Sequence, residues 1–412
     1  MTEIVTRQLK NGMRCSIYSF PQLETIGISL GVRYGSVDER PNINGSAHFL
    51  EHMSFKGTKR RTWKDINEET KDIGAYSNAT TDREMTNYIM QVHKSHVERA
   101  LDMMSDTAFN STIPKEEMEL ERGPIINENL IWEDNPSYLF YDYIPRLLFK
   151  GNPAGMPVGG DNDKTIKHIT RDHLFEIYKD YYTPRNMALA IAGGTTVNNG
   201  FELAEKYFGS VETGIYKKTE RKRFSGKKIM RSIVMRKQDI KQLKIGMGFV
   251  CTPFGNDRLD ELASMTIANE LLQYRIYEEV REKRGLSYDP QSSYTAGMTY
   301  GMLSVEAGTE PKNGDKVKKI MLAVLQSMHD GEIKKEEVQR MKNAVIIRQK
   351  TLRERSLDMA VKLAMSSIID DMPDLLERIP KLISDVSLDS VRKYALKNID
   401  CDHYGIMVLK PK

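Results

Sequence analysis

The feature that most constrains the fold of this 412-residue chain is an approximate internal repeat, with a spacing of about 218 residues. Three pairs of segments carry the repeat: 26–32 with 245–250, 169–174 with 386–391, and 186–191 with 406–409. The first pair has the period of a β-strand, the second opens an amphipathic helix, and the third is again strand-like. Because the matches lie at both ends of the repeated unit, the sequence predicts two homologous domains.

The predicted domains span residues 1–212 and 228–412, and a polar linker, 213–227, joins them. Each domain would begin with strands, continue through helices and end with a helix and a strand. Strands and helices mixed without strict βαβ alternation are typical of the α+β class. The sequence therefore predicts, for each domain, a mainly antiparallel sheet with helices packed on one face. The clearest helical patterns are at 97–110, 313–328 and 334–369.

Composition and charge argue against several classes of function. The formal net charge is +4, and the basic cluster at 217–228 has no interleaved aromatic residues, so nucleic-acid binding is not indicated. No apolar run approaches the roughly 18 residues that a membrane helix needs, and the start of the chain does not have the pattern of a secretory signal. The three cysteines are far apart and odd in number, which predicts reduced thiols. These features predict a cytoplasmic protein without a membrane or nucleic-acid partner.

The strongest indication of chemistry is the short motif His48-Phe-Leu-Glu51-His52. It follows a polar break, at whose end Ser46 is predicted to cap a helix that runs into the motif. On a helix, residues three and four apart lie on one face, so the three side chains would point the same way. Two imidazoles on one face can bind one zinc ion, and the carboxylate beside them can reach a water bound to the metal. The motif therefore predicts a zinc-dependent hydrolytic site whose general base is Glu51.

A catalytic zinc needs a third protein ligand, which the acidic segment 116–128 could supply. Glu121 and Glu128 are seven residues apart, so two turns of helix would place both on one face. The helical period does not choose between them. Pro124 lies between the two and removes a backbone hydrogen bond, so the sequence leaves open whether a kink there moves Glu121 off the metal face. The motif does not recur in the second half of the sequence, so one zinc per chain is predicted.

The motif region resembles the insulinase-type (pitrilysin-type) zinc peptidases and, among them, the processing peptidases. The segment 48–58, which reads HFLEHMSFKGT, carries the strongest likeness. Further stretches resemble landmarks of the family in the same order: 74–86 (GAYSNATTDREMT), 121–128 (ERGPIINE), 157–159 (PVG), 182–187 (YTPRNM) and 280–288 (VREKRGLSY). The resemblance spans nearly the whole chain. It also accounts for the internal repeat, because these peptidases are built from repeated α+β domains.

The resemblance implies roles for residues that spacing alone leaves unassigned. Glu128 takes the position of the third zinc ligand, and Glu121 takes that of a carboxylate that orients a ligand and adds charge near the metal. Arg281 and Tyr288 match a pair that faces the zinc and stabilises the oxyanion of the tetrahedral intermediate. Donors aimed at developing negative charge make a large contribution to catalysis.

By the same resemblance, Asn78 and Ala79 match an edge strand to which an extended substrate adds its backbone. The sequence thus predicts a zinc-dependent endopeptidase that cleaves peptides or unfolded polypeptide segments, with Glu51 activating a zinc-bound water. Relatives enclose substrate between two two-domain units, so a homodimer, or a heterodimer with a related subunit, is implied. The alternative is a non-catalytic scaffold or partner subunit, and the intact set of metal-binding residues argues against it.

Overall fold

The computed structural model describes residues 3–214, 221, 223–224, 230–238, 240–368 and 371–412. Most of the predicted linker, 213–227, lies outside these residues. No helix of the described part is long and apolar enough to cross a membrane.

The first half of the sequence forms strands and helices in an order close to the predicted one. Its elements are β1 (Glu3–Gln8), β2 (Arg14–Ser19), β3 (Thr25–Val32), α1 (Ser46–Met53), α2 (Trp63–Asp72), β4 (Tyr76–Thr81), β5 (Thr86–His93), α3 (Val97–Phe109), α4 (Lys115–Asp134), α5 (Pro136–Leu148), α6 (Arg171–Tyr181), β6 (Met187–Gly193) and α7 (Val197–Phe208). The strand and helices predicted at 26–32, 97–110 and 169–174 are confirmed as β3, α3 and α6.

The second half repeats this order in outline. Its elements are β7 (Arg231–Lys237), β8 (Leu243–Cys251), α8 (Leu259–Ile276), β9 (Gln291–Ala296), β10 (Gly301–Thr309), α9 (Gly314–His329), α10 (Lys335–Leu352), α11 (Ser356–Ile368), α12 (Leu375–Asp385), α13 (Leu388–Asn398) and β11 (Gly405–Pro411). The α8 helix continues into a π-helical turn, Tyr277–Glu282. The predicted elements at 245–250, 313–328 and 406–409 are confirmed as β8, α9 and β11.

Each half contributes one mainly antiparallel sheet. The first sheet has the strand order β1-β2-β6-β3-β5-β4, and the second has the order β7-β11-β8-β10-β9. One neighbouring pair in each sheet is parallel, β2 with β6 and β11 with β7. Two such sheets with packed helices place the chain in the α+β class, as predicted. In the first sheet, β4 lies at an edge.

The described residues form two compact units that do not coincide with the two halves of the sequence. The first unit comprises Met1–Leu130, Met156–Arg221 and Gln349–Arg378, and the second comprises Ile131–Gly155, Lys222–Arg348 and Ile379–Lys412. Each unit therefore takes a helix from the opposite half of the sequence: α11 joins the first unit and α5 joins the second. The predicted boundaries at 212 and 228 mark the two copies of the repeat. The repeat contains no indication that the two units exchange helices.

Glycines in the repeated strand explain where the exchanged helix of the first unit packs. In β3, Gly27 alternates with Ile26 and Ile28, so the glycine and the isoleucines face opposite sides of the sheet. The isoleucines belong to the core that includes residues of α3. A Cβ atom on Gly27 would lie 2.5 Å from the backbone of Leu357 in α11. The sheet thus carries its own half's helices on one face and the exchanged helix on the other.

The second unit has the same arrangement. A Cβ atom on Gly246 of β8 would lie 2.1 Å from the ring of Phe140 in α5, and one on Gly248 would lie 2.3 Å from Ile144. The residues between and beside these glycines face the core formed with α8 and α9. Both copies of the strand therefore keep glycine on the face that receives the exchanged helix, which is the physical reason that glycine is part of the repeat.

One predicted helix, at 334–369, is wrong as a single element. The structure has two helices there, α10 and α11, with a break at 353–355, and residue 369 lies outside the described residues. The break occurs where the chain leaves the second unit and starts the helix that packs against β3 and β6. An amphipathic pattern does not record such a change of partner, because both helices have an apolar face.

Replacing Gly27 with alanine is expected to lower the free energy of unfolding by about 1–3 kcal/mol, because the added methyl group overpacks against helix backbone that cannot rotate away. Urea unfolding followed by circular dichroism measures the change. The matched control is Gly123→Ala in α4, where a Cβ atom has no neighbour within 4 Å. There alanine is expected to stabilise the helix by about 0.5–1 kcal/mol. Equal effects of the two substitutions would contradict the packing of α11 on β3.

Candidate metal centre

The motif lies on α1, a short helix whose start depends on residues outside the motif. Gly45, which immediately precedes α1, has a φ of 94°, a left-handed conformation that glycine adopts without strain. The Glu39 carboxylate accepts hydrogen bonds from the backbone N–H groups of Gly45 and Ala47, at 2.8 and 2.6 Å. The prediction that Ser46 caps the helix is wrong, because Ser46 is the first helical residue and its hydroxyl also donates to Glu39. A carboxylate from the preceding loop, not the local serine, thus holds the helix start.

The structure brings His48, Glu51 and His52 to one side of α1, as their spacing predicts. His48 and Glu51 are buried, and His52 is half-buried. The Nε2 atoms of the two histidines lie 3.2 Å apart. The two imidazoles therefore converge on a single point, which is the arrangement that shared binding of one metal ion requires.

Helix α4 brings two glutamates close to these histidines, and each glutamate contacts a different nitrogen of the His52 ring. Glu128 Oε2 lies 3.3 Å from His52 Nε2 and 3.6 Å from His48 Nε2. Glu121 Oε1 lies 2.9 Å from His52 Nδ1, the other ring nitrogen. Glu128 therefore joins the converging ligand atoms, whereas Glu121 orients the His52 ring. The helical period had left this choice open.

Pro124, whose effect on Glu121 the sequence left open, does not separate that glutamate from the site. Helix α4 runs from Lys115 to Asp134 with the proline inside it. Glu121 keeps its place because two partners hold it: His52 contacts Oε1, and the Lys56 ammonium contacts Oε2. The backbone hydrogen bond that is missing at the proline therefore does not displace the Glu121 side chain.

The electrostatics of the cluster suit a cation. Burial, with the neighbouring charge of His52, lowers the pKa of His48 to about 4. Burial also lowers the pKa of His52, but hydrogen bonds to Glu121 and Glu128 outweigh it and raise that pKa to about 9. Burial raises the pKa of each glutamate, yet the bonds to His52 outweigh it and both pKa values fall below their usual range. Two ionised carboxylates thus surround two imidazoles, and a positive charge between them is stabilised.

The donor set fits a tetrahedral metal ion. His48, His52 and Glu128 each offer one ligand atom, and these atoms lie within 4.8 Å of one another. Two ligand atoms that are each about 2.1 Å from a tetrahedral metal stand about 3.4 Å apart. The three separations, 3.2, 3.3 and 3.6 Å, bracket that value. This is the one such group found among the described residues.

Glu51 is separate from the ligand set and is held by β4. Thr81 Oγ1 donates a hydrogen bond to Glu51 Oε2 at 2.5 Å. Burial raises the pKa of Glu51 to about 7, although the bond from Thr81 and the charge of His52 lower it. A carboxyl group that titrates near neutrality is suited to accept and return a proton, as general acid–base catalysis requires.

Asn78 and Ala79 lie on β4, which is an edge strand next to the motif helix. Asn78 is exposed, and its Oδ1 accepts a hydrogen bond from the backbone N–H of Ala79. Ala79 is buried on the face of the strand that meets α1. The predicted substrate-binding residues are therefore on an edge that can take another strand; their contact with substrate stays a prediction.

Arg281 and Tyr288 lie in the second unit, not in the unit that contains the histidines. The Arg281 guanidinium stacks on the ring of Tyr288 at 4.4 Å and on that of Tyr277 at 4.9 Å. Tyr288 is 78% exposed. The structure thus brings the two predicted residues into contact with each other. Arg281 and Tyr277 belong to the π-helical turn, a feature that is frequent at functional sites, and Tyr288 follows it in the chain. The role of Arg281 and Tyr288 at an oxyanion stays a prediction.

Three residues with clear roles at the site were not predicted: Glu39, Lys56 and Thr81. Lys56 and Thr81 lie inside the segments that carry the family resemblance, so both could have been found. Lys56 is a polar residue four positions after His52, and Thr81 is a polar residue two positions after Ala79. Glu39 has no such signal. It is close to α1 only because the loop between β3 and α1 folds back on the helix start.

The centre is formed by the two histidines of the His-x-x-Glu-His motif and a glutamate from a second helix. Together with the two α+β units, it defines a protein of the zinc-protease type. Residues 17–162 match the family model described as Insulinase (Peptidase family M16), and residues 168–345 match that described as Peptidase M16 inactive domain. The chain is 32% identical over 340 residues to a protein named an uncharacterized zinc protease from Rickettsia bellii, covering 82% of this chain and 81% of that one. It is 35% identical over 207 residues to a probable mitochondrial-processing peptidase subunit beta from Schizosaccharomyces pombe, covering 50% of this chain and 45% of that one.

The fold is also that of a crystallised protease from Helicobacter pylori, which is 21% identical and aligns over 100% of both chains with a TM-score of 0.92. The chain belongs to the insulinase family, peptidase family M16. Within the family, the likeness to the processing-peptidase subunit agrees with the subgroup that the resemblance predicts. The match of residues 168–345 to the inactive domain agrees with the absence of the motif from the second half of the sequence.

Proposed function

We propose that this chain is a zinc-dependent endopeptidase that cleaves peptides or unfolded polypeptide segments. The observation that carries the proposal is the place of Glu51, which lies beside the ligands of α1 but is held by Thr81 and not by the ligand set. Such a carboxylate can exchange a proton with a water molecule next to the metal. A scaffold or a metal-storage protein has no use for a separately held carboxylate at that point.

Zinc is the metal that the ligand set favours, because two imidazoles and one carboxylate are typical of catalytic zinc sites. The relative from Rickettsia bellii is also named a zinc protease. When bound, zinc polarises the scissile carbonyl group and lowers the pKa of water. His48, His52 and Glu128 would hold the ion through the three atoms that converge.

The remaining steps depend on this chain's own side chains. His52 donates its Nδ1–H to Glu121, which would leave the Nε2 lone pair available to hold the ion. Glu51 takes a proton from the attacking water and transfers it to the nitrogen of the leaving amine, which returns the carboxylate to its starting state. The edge strand β4 would hold the substrate by main-chain pairing, which favours peptides and unfolded segments because a folded chain rarely presents a free extended backbone.

We also propose a dimer, formed with a second copy or with a related subunit, in which Arg281 and Tyr288 of one chain serve the zinc site of the other. An equimolar mixture of Arg281→Ala and Glu51→Gln chains is then expected to regain activity, because one of the two shared sites is intact. The measurement is peptide cleavage by each variant alone and by the mixture. A mixture as inactive as its components would contradict the shared site. Location in the cytoplasm stays a prediction.

The function is tested by removing and restoring the metal. The purified chain is stripped with a chelator and incubated with a pool of unstructured peptides, with and without added zinc, and products are sequenced by mass spectrometry. Cleavage at internal peptide bonds, in the zinc-loaded sample alone, is the expected result. Stoichiometric zinc without cleavage, in the chain alone and with candidate partner subunits, would favour a non-catalytic subunit and overturn the proposal.

A further inference from the structure

The outward edge of β4 has a defined backbone orientation near the site. The N–H of Asp82 donates to the carbonyl of Met85 at 2.8 Å, which makes these two residues a hydrogen-bonded pair at the end of the β4–β5 hairpin. Hydrogen-bonded and non-hydrogen-bonded pairs alternate along antiparallel strands. Thr81 therefore points its backbone N–H and C=O away from β5, and Ala79 does the same two positions earlier. In agreement, the N–H of Ala79 donates a hydrogen bond to the side-chain oxygen of Asn78.

The side chain of Thr81 points the other way, into the site. It is half-buried, and its hydroxyl donates to Glu51 Oε2 at 2.5 Å, the short distance typical of a hydroxyl bonded to a carboxylate. Ala79 lies on the same face, because side chains alternate along a strand. Thr80 lies between them, is exposed and faces the opposite side.

We propose that Thr81 is a positioning residue that couples peptide binding to the general base. Its backbone lies on the free edge where a peptide strand would pair, while its hydroxyl fixes the carboxylate of Glu51. One residue thereby sets the distance between the paired peptide and the proton acceptor. The inference rests on the proposed function, and it adds a residue to which neither the motif nor the comparisons assign a role.

The hydroxyl is needed because Glu51 has three rotatable side-chain bonds and otherwise samples several conformations. A hydrogen bond to a charged group from a strand that is itself held in a sheet selects one of them. The bond also leaves the second carboxylate oxygen of Glu51 for the reacting water. Loss of the hydroxyl should therefore lower the rate of the chemical step and leave both metal binding and peptide binding as they were.

The experiment compares Thr81→Val, which keeps the branched shape, with Thr81→Ser, which keeps the hydroxyl, and with Thr80→Val as the matched control. For each zinc-loaded variant, kcat and KM on one peptide, the zinc content and the thermal unfolding midpoint are measured. Thr81→Val is expected to lower kcat about 10- to 100-fold, the loss that follows from one hydrogen bond to a charged group. Its KM and zinc content are expected to stay within about twofold, and Thr81→Ser is expected to recover most of kcat.

A second readout does not depend on catalysis. The unfolding midpoints of Thr81→Val, Glu51→Met and the double variant form a cycle, in which non-additive changes are expected if the hydrogen bond exists in solution. Full kcat in Thr81→Val, a change confined to KM, or an additive cycle would each overturn the inference while the proposed function stands. A zinc-loaded parent chain that cuts no peptide would overturn the proposed function, and the inference with it.

Discussion

Replacing Glu51 with glutamine is expected to lower kcat for peptide hydrolysis by about 100- to 10,000-fold, the usual contribution of a general base. Glutamine has the same size, and its amide oxygen can still accept the hydrogen bond from Thr81. It cannot take a proton from water. Because Glu51 does not belong to the converging ligand atoms, zinc content is expected to stay at one ion per chain. The measurements are steady-state kinetics on an unstructured peptide and zinc analysis of the same sample.

The control for this substitution is Glu116→Gln, which removes an exposed carboxylate from the first turn of α4. It is expected to leave both activity and zinc content unchanged. A Glu51→Gln chain that retained parental kcat would show that another group accepts the proton. A chain that lost its zinc would place Glu51 among the ligands, contrary to the geometry.

Glutamine substitutions at the two glutamates of α4 are expected to weaken zinc binding to different degrees. Glu121 contacts the Nδ1 atom of His52, on the side of the ring away from the ligand atom Nε2. Loss of a hydrogen-bond partner of a metal ligand typically lowers metal affinity about 10- to 100-fold. Glu128 supplies one of the three ligand atoms, so Glu128→Gln is expected to cost more than Glu121→Gln and to abolish peptide cleavage at micromolar zinc. Competition with a chromogenic chelator measures both affinities.

The order of the two effects is the decisive result. If Glu121→Gln lost zinc while Glu128→Gln kept it, the assignment of the third ligand would be reversed. Equal losses would mean that both carboxylates bind the metal directly. Glu116→Gln serves as control here too, because it removes one negative charge from the same helix without a contact to the histidines.

Most of the metal centre could be predicted from local sequence. His48, Glu51 and His52 share a face because they are three and four residues apart on a helix, a geometry that the backbone alone dictates. The third ligand shows the limit of this reasoning. Glu121 and Glu128 satisfy the helical period equally well. The family resemblance assigned their roles, and their distances from the two ring nitrogens of His52 then gave the physical distinction between a ligand and an orienting carboxylate.

The fold was predictable to a similar degree. Alternating and amphipathic patterns predict strands and helices, and the repeat predicts two related α+β halves, because these signals record which face of an element is apolar. They do not record which apolar surface covers that face. The exchange of α5 and α11 and the break at 353–355 were therefore not predicted, although the glycines that receive the exchanged helices are visible in the repeat.

The sequence by itself thus determined the class of the protein, its repeated architecture and the metal-binding motif, since each depends on residues close together in the chain or on an ordered set of motifs. The tertiary structure decided the rest. Glu39 holds the start of α1 from a preceding loop, Lys56 holds Glu121 from beyond the end of α1, and Thr81 reaches Glu51 from an edge strand thirty residues later. Each of these contacts is a hydrogen bond or ion pair between separate elements, and its geometry exists only once those elements have packed.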